Sequence, residues 1–266
     1  MTLIVGVKCL EGIVLGADSA ATYATSLGQP TIRQETVTKL HITSNKVVIG
    51  VSGPISFSQS YSDEIDAYLN SRGMKVSWKN VAEAKKELCA MFWKHAGPAW
   101  DKAVVVSRVI GNAAMNECNH LSAAAFVTTD EQPHLVQFSM QCNAEEVTQD
   151  LPFVAIGSAQ PSADPFLAFI RRIFWPSGLP SLIDGQIATV WTLDEAIKTN
   201  PGGVGGDVKL VVLKKDDKKH WKCEAVSEEE LGGHRLMIAD IEKRMREAAL
   251  PTVPEPIPTP PESPES

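Results

Sequence analysis

Two apolar runs at the start of the chain constrain its fold more than any other stretch. Thr2-Leu3-Ile4-Val5-Gly6-Val7-Lys8 and Gly12-Ile13-Val14-Leu15-Gly16-Ala17-Asp18-Ser19 are rich in β-branched residues, and Glu11-Gly12 separates them. This pattern predicts a tight hairpin of two buried strands. The hairpin opens at a threonine. Removal of Met1 makes Thr2 the first residue, with its hydroxyl beside a free α-amine. Such a residue is a nucleophile that carries its own base.

The remaining elements follow from periodicity. A polar loop is expected through Gly28-Gln29-Pro30, then strands over 37–42 and 46–51 joined at Ser44-Asn45. Phe57, Tyr61, Ile65 and Leu69 share a helical face that Arg72-Gly73 ends, and a second helix runs from an Asn80 cap with Glu83. Gly97-Pro98 is expected to interrupt that helix, and 100–110 reads as either helix or strand. A second hairpin spans 123–128 and 133–138, and a short strand covers 153–156. Asp164-Pro165 is expected to cap a helix whose core stripe is Phe166, Phe169, Ile170, Ile173 and Phe174, with Arg171 and Arg172 in solvent. Thr192-Leu193-Asp194-Glu195 reads as a capping box opening another helix. Strands at 208–213 and 220–226 and a last helix with Ile238, Ile241, Met245 and Ala248 on one side complete the order. Strands group with strands and helices come in pairs, so the pattern favours two antiparallel sheets with helices outside. One domain is expected over 1–250. The tail 251–266 holds seven prolines and three glutamates and is expected to be disordered.

Composition narrows the function classes. With 44% hydrophobic residues in 266, the chain can bury a core, and its net charge of -7 argues against nucleic acid as a partner. No apolar run reaches membrane-spanning length, and the N-terminus lacks a basic segment with a cleavage site, so a cytoplasmic protein is expected. The five cysteines are scattered without a C-x-x-C, and the six histidines form no H-x-x-x-H. Reduced thiols, no metal and no cofactor are the expectation.

The N-terminal hairpin, Gly16-Ala17-Asp18-Ser19, Thr36-Val37-Thr38-Lys39 and Val51-Ser52-Gly53 together resemble the proteasome β-subunit family of N-terminal-nucleophile hydrolases. Gly157-Ser158 and Val204-Gly205-Gly206-Asp207-Val208 extend the likeness, which covers residues 2 to 226 and is weaker between 75 and 120. The resemblance implies an α+β fold, a four-layer αββα sandwich, and a threonine peptidase. It implies Thr2 as nucleophile, Lys39 as the neighbouring cation, Asp18 as the acid pairing with it, Gly53 as oxyanion donor and Ser158 near the amine. Ala21, Thr22, Val37 and Val51 fall at substrate-pocket positions, whose small apolar side chains suit a medium-sized hydrophobic residue. Peptide or polypeptide substrates, self-assembly into stacked homo-oligomeric rings and an ATP-dependent unfoldase partner are the other implications. The family pattern also carries an aspartate and, three residues later, a serine before the Gly-Gly pair. Here those positions are Pro201 and Val204, which raises the alternative of a catalytically weak or inactive ring that binds or encloses peptides.

Overall fold

The computed structural model describes residues 2–24, 30–34, 36–71, 78–111, 118, 120–200 and 204–249, with side chains for all but 22–24, 30–34 and 110. Strands β1 (Leu3–Lys8), β2 (Gly12–Asp18), β3 (Ala21–Ala24), β4 (Pro30–Gln34), β5 (Leu40–Ser44) and β6 (Val47–Ser52) come first. Helices α1 (Ile55–Ser71) and α2 (Val81–Ile110) follow, then β7 (Leu121–Val127), β8 (Pro133–Phe138), β9 (Ala144–Glu146) and β10 (Phe153–Gly157). Helices α3 (Gln160–Phe174) and α4 (Leu182–Thr199), strands β11 (Val208–Lys215) and β12 (Trp221–Ala225), and helix α5 (Glu228–Ala249) end the order.

Among the described residues the strands form two five-stranded sheets, β10-β1-β2-β11-β12 and β5-β6-β7-β8-β9, and the two-stranded β3-β4. All pairings are antiparallel. Strand alternation sends successive side chains to opposite faces. Ile4, Ile13 and Leu15 enter the layer between the large sheets, with Leu40, Val48 and Leu135. Leu3, Val5, Val7 and Val14 face the other way, against Leu167, Ile170, Val190 and Leu193 of α3 and α4. Val47, Ile49 and Val51 of β6 meet Phe57, Tyr61, Leu88 and Phe92 of α1 and α2. The result is the four-layer αββα sandwich. Both faces of β1 and β2 are buried, which is why their sequences run apolar without alternation.

Several local expectations are corrected. The polar loop after the first hairpin holds β3 and β4, and Gly28-Gln29 lies outside the described residues. The α2 helix runs straight through Gly97-Pro98 for 30 residues. Packing on both sides of the proline, by Met91, Phe92 and Ala96 before it and Trp100 and Ala103 after it, outweighs the lost hydrogen bond. The α3 helix starts at Gln160, so Pro165 sits inside it, and Asp164 accepts from Gln160 Nε2 instead of capping. Its buried stripe is Ala163, Leu167 and Ile170, whereas Ile173 and Phe174 are exposed. Ser181 caps α4 through Asp184 N. Thr192 is consequently mid-helix, and its hydroxyl donates to Ala188 O. The reduced-thiol expectation fails at one place. Packing of α2 on the turn between β8 and β9 brings Cys89 to Cys142, 5.6 Å apart at Cα, and joins them in a disulfide. A separation of 53 residues hid that pairing from the sequence. Cys9 and Cys223 are free and buried, and Cys118 is buried.

Burial also sets an acid limit on stability. His41, His120 and His234 are each pushed below the ordinary 6.5 by desolvation, which outweighs Asp63, the Cys118 backbone and Glu230 respectively. The unfolded chain therefore takes up these protons first as pH falls. The stability gained by keeping the rings neutral is complete above about 6.5 and is lost below it, toward each folded value. The urea midpoint at constant ionic strength is expected to drop between pH 7 and pH 5.5. A midpoint that does not move contradicts this.

Candidate active site

Thr2 immediately precedes β1 and is buried. Its position is set by strand pairing on both sides, because Leu3 pairs with Gly157 of β10 and Ile4 with Ala17 of β2. Gly157 has φ +110, and a Cβ there would stand 2.1 Å from the carbonyl oxygen of Thr2. Only a residue without a side chain lets β10 pass so close. Ser158 follows it. Its Oγ accepts from Thr2 N at 3.2 Å and lies 3.4 Å from Thr2 O, to which it donates. With Met1 attached, Thr2 N is a peptide nitrogen. It occupies the place that an α-amine takes once Met1 is removed.

Asp18 closes β2 and is 1% exposed. Its Oδ1 accepts from Leu3 N at 2.9 Å and from Lys39 Nζ at 2.7 Å. Its Oδ2 accepts from Gly205 N at 3.1 Å. One carboxylate thus ties the residue after Thr2, a buried ammonium and the loop before β11 into a single point. Lys39 is 6% exposed and sits just before β5, held by the bond from Val51 N to its carbonyl. Burial pulls the Lys39 pKa below its ordinary 10.5, and the Asp18 charge and hydrogen bond oppose that pull. A buried cation of this kind persists only with a partner as close as Asp18.

Gly53 lies between β6 and α1 with φ 144, a conformation that favours glycine. It is exposed. Ala21 opens β3 and is buried. Thr22 pairs with Arg33, its side chain lying outside the described set. Val51 packs with Phe57 under α1. Val37 is half-buried, its N–H donating to Ser19 O, and it lines a cavity of about 350 Å³ with Asp18, Lys39, Leu40, Leu210 and Val211. Ala21, Val51 and Thr2 are not on that cavity's wall. The structure therefore bonds Thr2 to Ser158, and Asp18 to Lys39 and to Leu3, the residue that follows Thr2. Of the four expected pocket positions, Val37 lines that cavity, and the side chain of Thr22 lies outside the described residues.

Sequence reasoning gave no role to two residues of this site. Gly205 donates to Asp18 and accepts from Ser19 N and Ala20 N, fixing the turn after β2. Gly157 supplies the clearance at Thr2. Both fall in runs that carried the family likeness, so the signal was present without its geometry. Of the two departures, Pro201 lies outside the described residues. Val204 is buried in the layer between the first sheet and α3 and α4, where its side chain offers no hydrogen-bonding group. Among the described residues no His/Cys/Asp/Glu cluster suited to a metal forms, and no helix is long and apolar enough to cross a membrane.

Comparison with known proteins now bears on this geometry. Anbu (ancestral beta-subunit) from Yersinia bercovieri aligns with a TM-score of 0.63 at 18% identity over 96% of this chain and 100% of its own. Anbu from Hyphomicrobium sp. strain MC1 aligns with a TM-score of 0.64 at 18% identity, covering 95% of this chain and 100% of its own. At that identity the likeness establishes the shared fold. No curated protein matches the chain. The family model described as Proteasome subunit matches residues 2–168, a span that includes Thr2, Asp18, Lys39, Gly53 and Ser158. By that match over more than half its length, the chain belongs to the proteasome subunit family.

Proposed function

We propose that the chain is a threonine-type endopeptidase subunit in which Thr2, freed by removal of Met1, is the nucleophile. One observation carries this reading: the buried Asp18 carboxylate accepts from both Leu3 N and Lys39 Nζ, which holds an ammonium beside the residue that follows Thr2. The Thr2 hydroxyl attacks a peptide carbonyl, and the α-amine takes its proton. That amine returns the proton to the departing peptide nitrogen as the C–N bond breaks, leaving an ester on Thr2. Water then cleaves the ester. An α-amine titrates near 7.7–8.0, and a neighbouring cation lowers that value, which keeps the base unprotonated at neutral pH. Gly53 N–H serves the tetrahedral oxygen, a role worth about 2.7–4 kcal/mol. Ser158 orients the amine.

Polypeptides are the substrates in this reading, and copies of the chain assemble into stacked rings that enclose the nucleophiles, supplied by an ATP-dependent unfoldase. Ala21, Thr22, Val37 and Val51 set a preference for medium-sized hydrophobic residues before the cleaved bond. A fluorogenic peptide panel is expected to favour such residues, and dominant cleavage after Lys or Asp would refute the preference.

Val204 favours a second reading. An apolar side chain buried at a position where the family places a hydroxyl leaves Ser158 as the hydroxyl bonded to Thr2 N. An assembly that encloses peptides with little hydrolysis is consistent with that loss. Thr2→Ala separates the two. The peptidase reading expects peptide cleavage and labelling by a threonine-directed electrophile to vanish while the assembly stays intact. Mass spectrometry should find Thr2 as the first residue. Retained Met1, or cleavage that survives Thr2→Ala, overturns the mechanism.

A further inference from the structure

Phe153 pairs with Val7, at the end of β1 remote from Thr2, and helix α3 ends nearby. The sequence pattern put Ile173 and Phe174 in the core and both arginines in water. The structure divides them differently. Ile173 is 51% and Phe174 43% exposed, and Leu151, on the loop before β10, is 54% exposed. Arg171 is half-buried, with a buried Nε that has no hydrogen-bond partner among the described residues. Trp175, only 5% exposed, leaves its Nε1 unpartnered in the same way. A cavity of about 200 Å³ separates α3 from the loop, walled by Leu151, Phe153, Arg171, Arg172 and Pro176. Buried donors without acceptors are rare and call for an explanation. Among the described residues no carboxylate reaches either arginine.

The missing acceptor has to be anionic, partly apolar and extended enough to lie across a helix end. Residues 250–266 of this chain, outside the described set, have that composition. They contain Val253, Ile257 and seven prolines, and Glu255, Glu262 and Glu265 without a single Lys or Arg. A proline-rich stretch adopts polyproline II at about 3.1 Å per residue, so this one reaches about 50 Å. The α5 helix delivers it to the right place. Glu242 accepts from Trp191 Nε1, and the Trp191 ring lies 6.1 Å from that of Phe174. The last helical residue, Ala249, is about 10 Å of helix beyond Glu242.

We propose that segment 250–266 docks on its own subunit across the end of α3. Its glutamates meet Arg171 and Arg172, and its prolines, Val253 and Ile257 cover Leu151, Ile173 and Phe174. The surface is a built receptor for an acidic polyproline strand, and it is independent of the peptidase reading.

The test uses the full chain and a Glu-specific endoprotease, with cleavage after Glu255 followed by mass spectrometry. Arg171→Glu/Arg172→Glu is expected to speed that cleavage about tenfold or more, the effect of losing one charge-assisted contact. Raised salt is expected to speed it in the original chain. The same charge change at a remote surface site, Lys102→Glu/Arg108→Glu, should leave it unchanged. Equal rates in all three overturn the proposal. Because Arg171→Glu can loosen the helix end, truncation after Ala249 probes the contact from the other side. Amide exchange over 171–176 should rise severalfold, and unchanged exchange overturns it. A benzophenone amino acid in place of Ile257 should crosslink to 151–176 within one chain. In mixed ¹⁴N and ¹⁵N preparations, crosslinks between chains mean docking on a neighbour and overturn docking on the same subunit.

Discussion

Asp18→Ala is expected to destabilise the subunit by about 3–5 kcal/mol, the range for removing one partner of a buried ion pair. The substitution strips Lys39 Nζ, Leu3 N and Gly205 N of their common acceptor. It takes that carboxylate from the Lys39 ammonium at a place where burial already works against its charge. The backbone donors then lack a partner, and the register of β1 against β2 loosens at Thr2. Urea denaturation at fixed protein concentration measures the loss, the concentration being held because subunit association shifts apparent stability. The double variant Asp18→Ala/Lys39→Met should recover much of it, since replacing a buried pair by apolar groups is often neutral. On the proposed peptidase reading, whose mechanism uses the cation, it should not recover peptide cleavage. A loss under 1 kcal/mol for Asp18→Ala would mean that the pair is wet and the site is not built as described.

Gly157→Ala is expected to move Thr2. The new methyl group would sit 2.1 Å from Thr2 O, a backbone atom that cannot swing aside like a side-chain end. The φ of +110 adds backbone strain of about 1–3 kcal/mol. Either the end of β10 separates from β1 or Thr2 shifts by an ångström or more. On the proposed peptidase reading, a shift of that size costs the nucleophile about 100-fold in rate. Gly178→Ala is the matched control. Gly178 also has positive φ, at +79, but open space around the added carbon. It should lose stability alone, with labelling of Thr2 unchanged. Equal effects at the two glycines would show that backbone strain matters and clearance at Thr2 does not.

Much of this fold was legible because both large sheets bury two faces. A strand buried on two faces has to be apolar throughout, so β1, β2, β6 and β7 announce themselves as runs bounded by turns. Misreadings came where a local signal competed with packing. Pro98 and Thr192 look like helix boundaries over four residues, yet each sits inside a helix whose apolar face is anchored on both sides. Asp164-Pro165 looked like a helix start because the true first turn, with Pro161, resembles it. The short β3 and β4 were missed because their pairing is with each other, outside the layers that give strands an apolar signature.

For the site, order along the chain named Thr2, Asp18, Lys39, Gly53 and Ser158, since each belongs to a short run tied to a strand end. What the sequence by itself determined was which residue types stand at those strand ends and that the strands are buried. Only the tertiary structure decided that one carboxylate serves three donors from residues 3, 39 and 205, and that β10 passes close enough to Thr2 to forbid a side chain at 157. The physical reason is separation. Hydrophobic periodicity is written over a few neighbouring residues, whereas a shared hydrogen bond or a missing Cβ is decided by groups 15 to 187 residues apart that meet only after the sheets have paired.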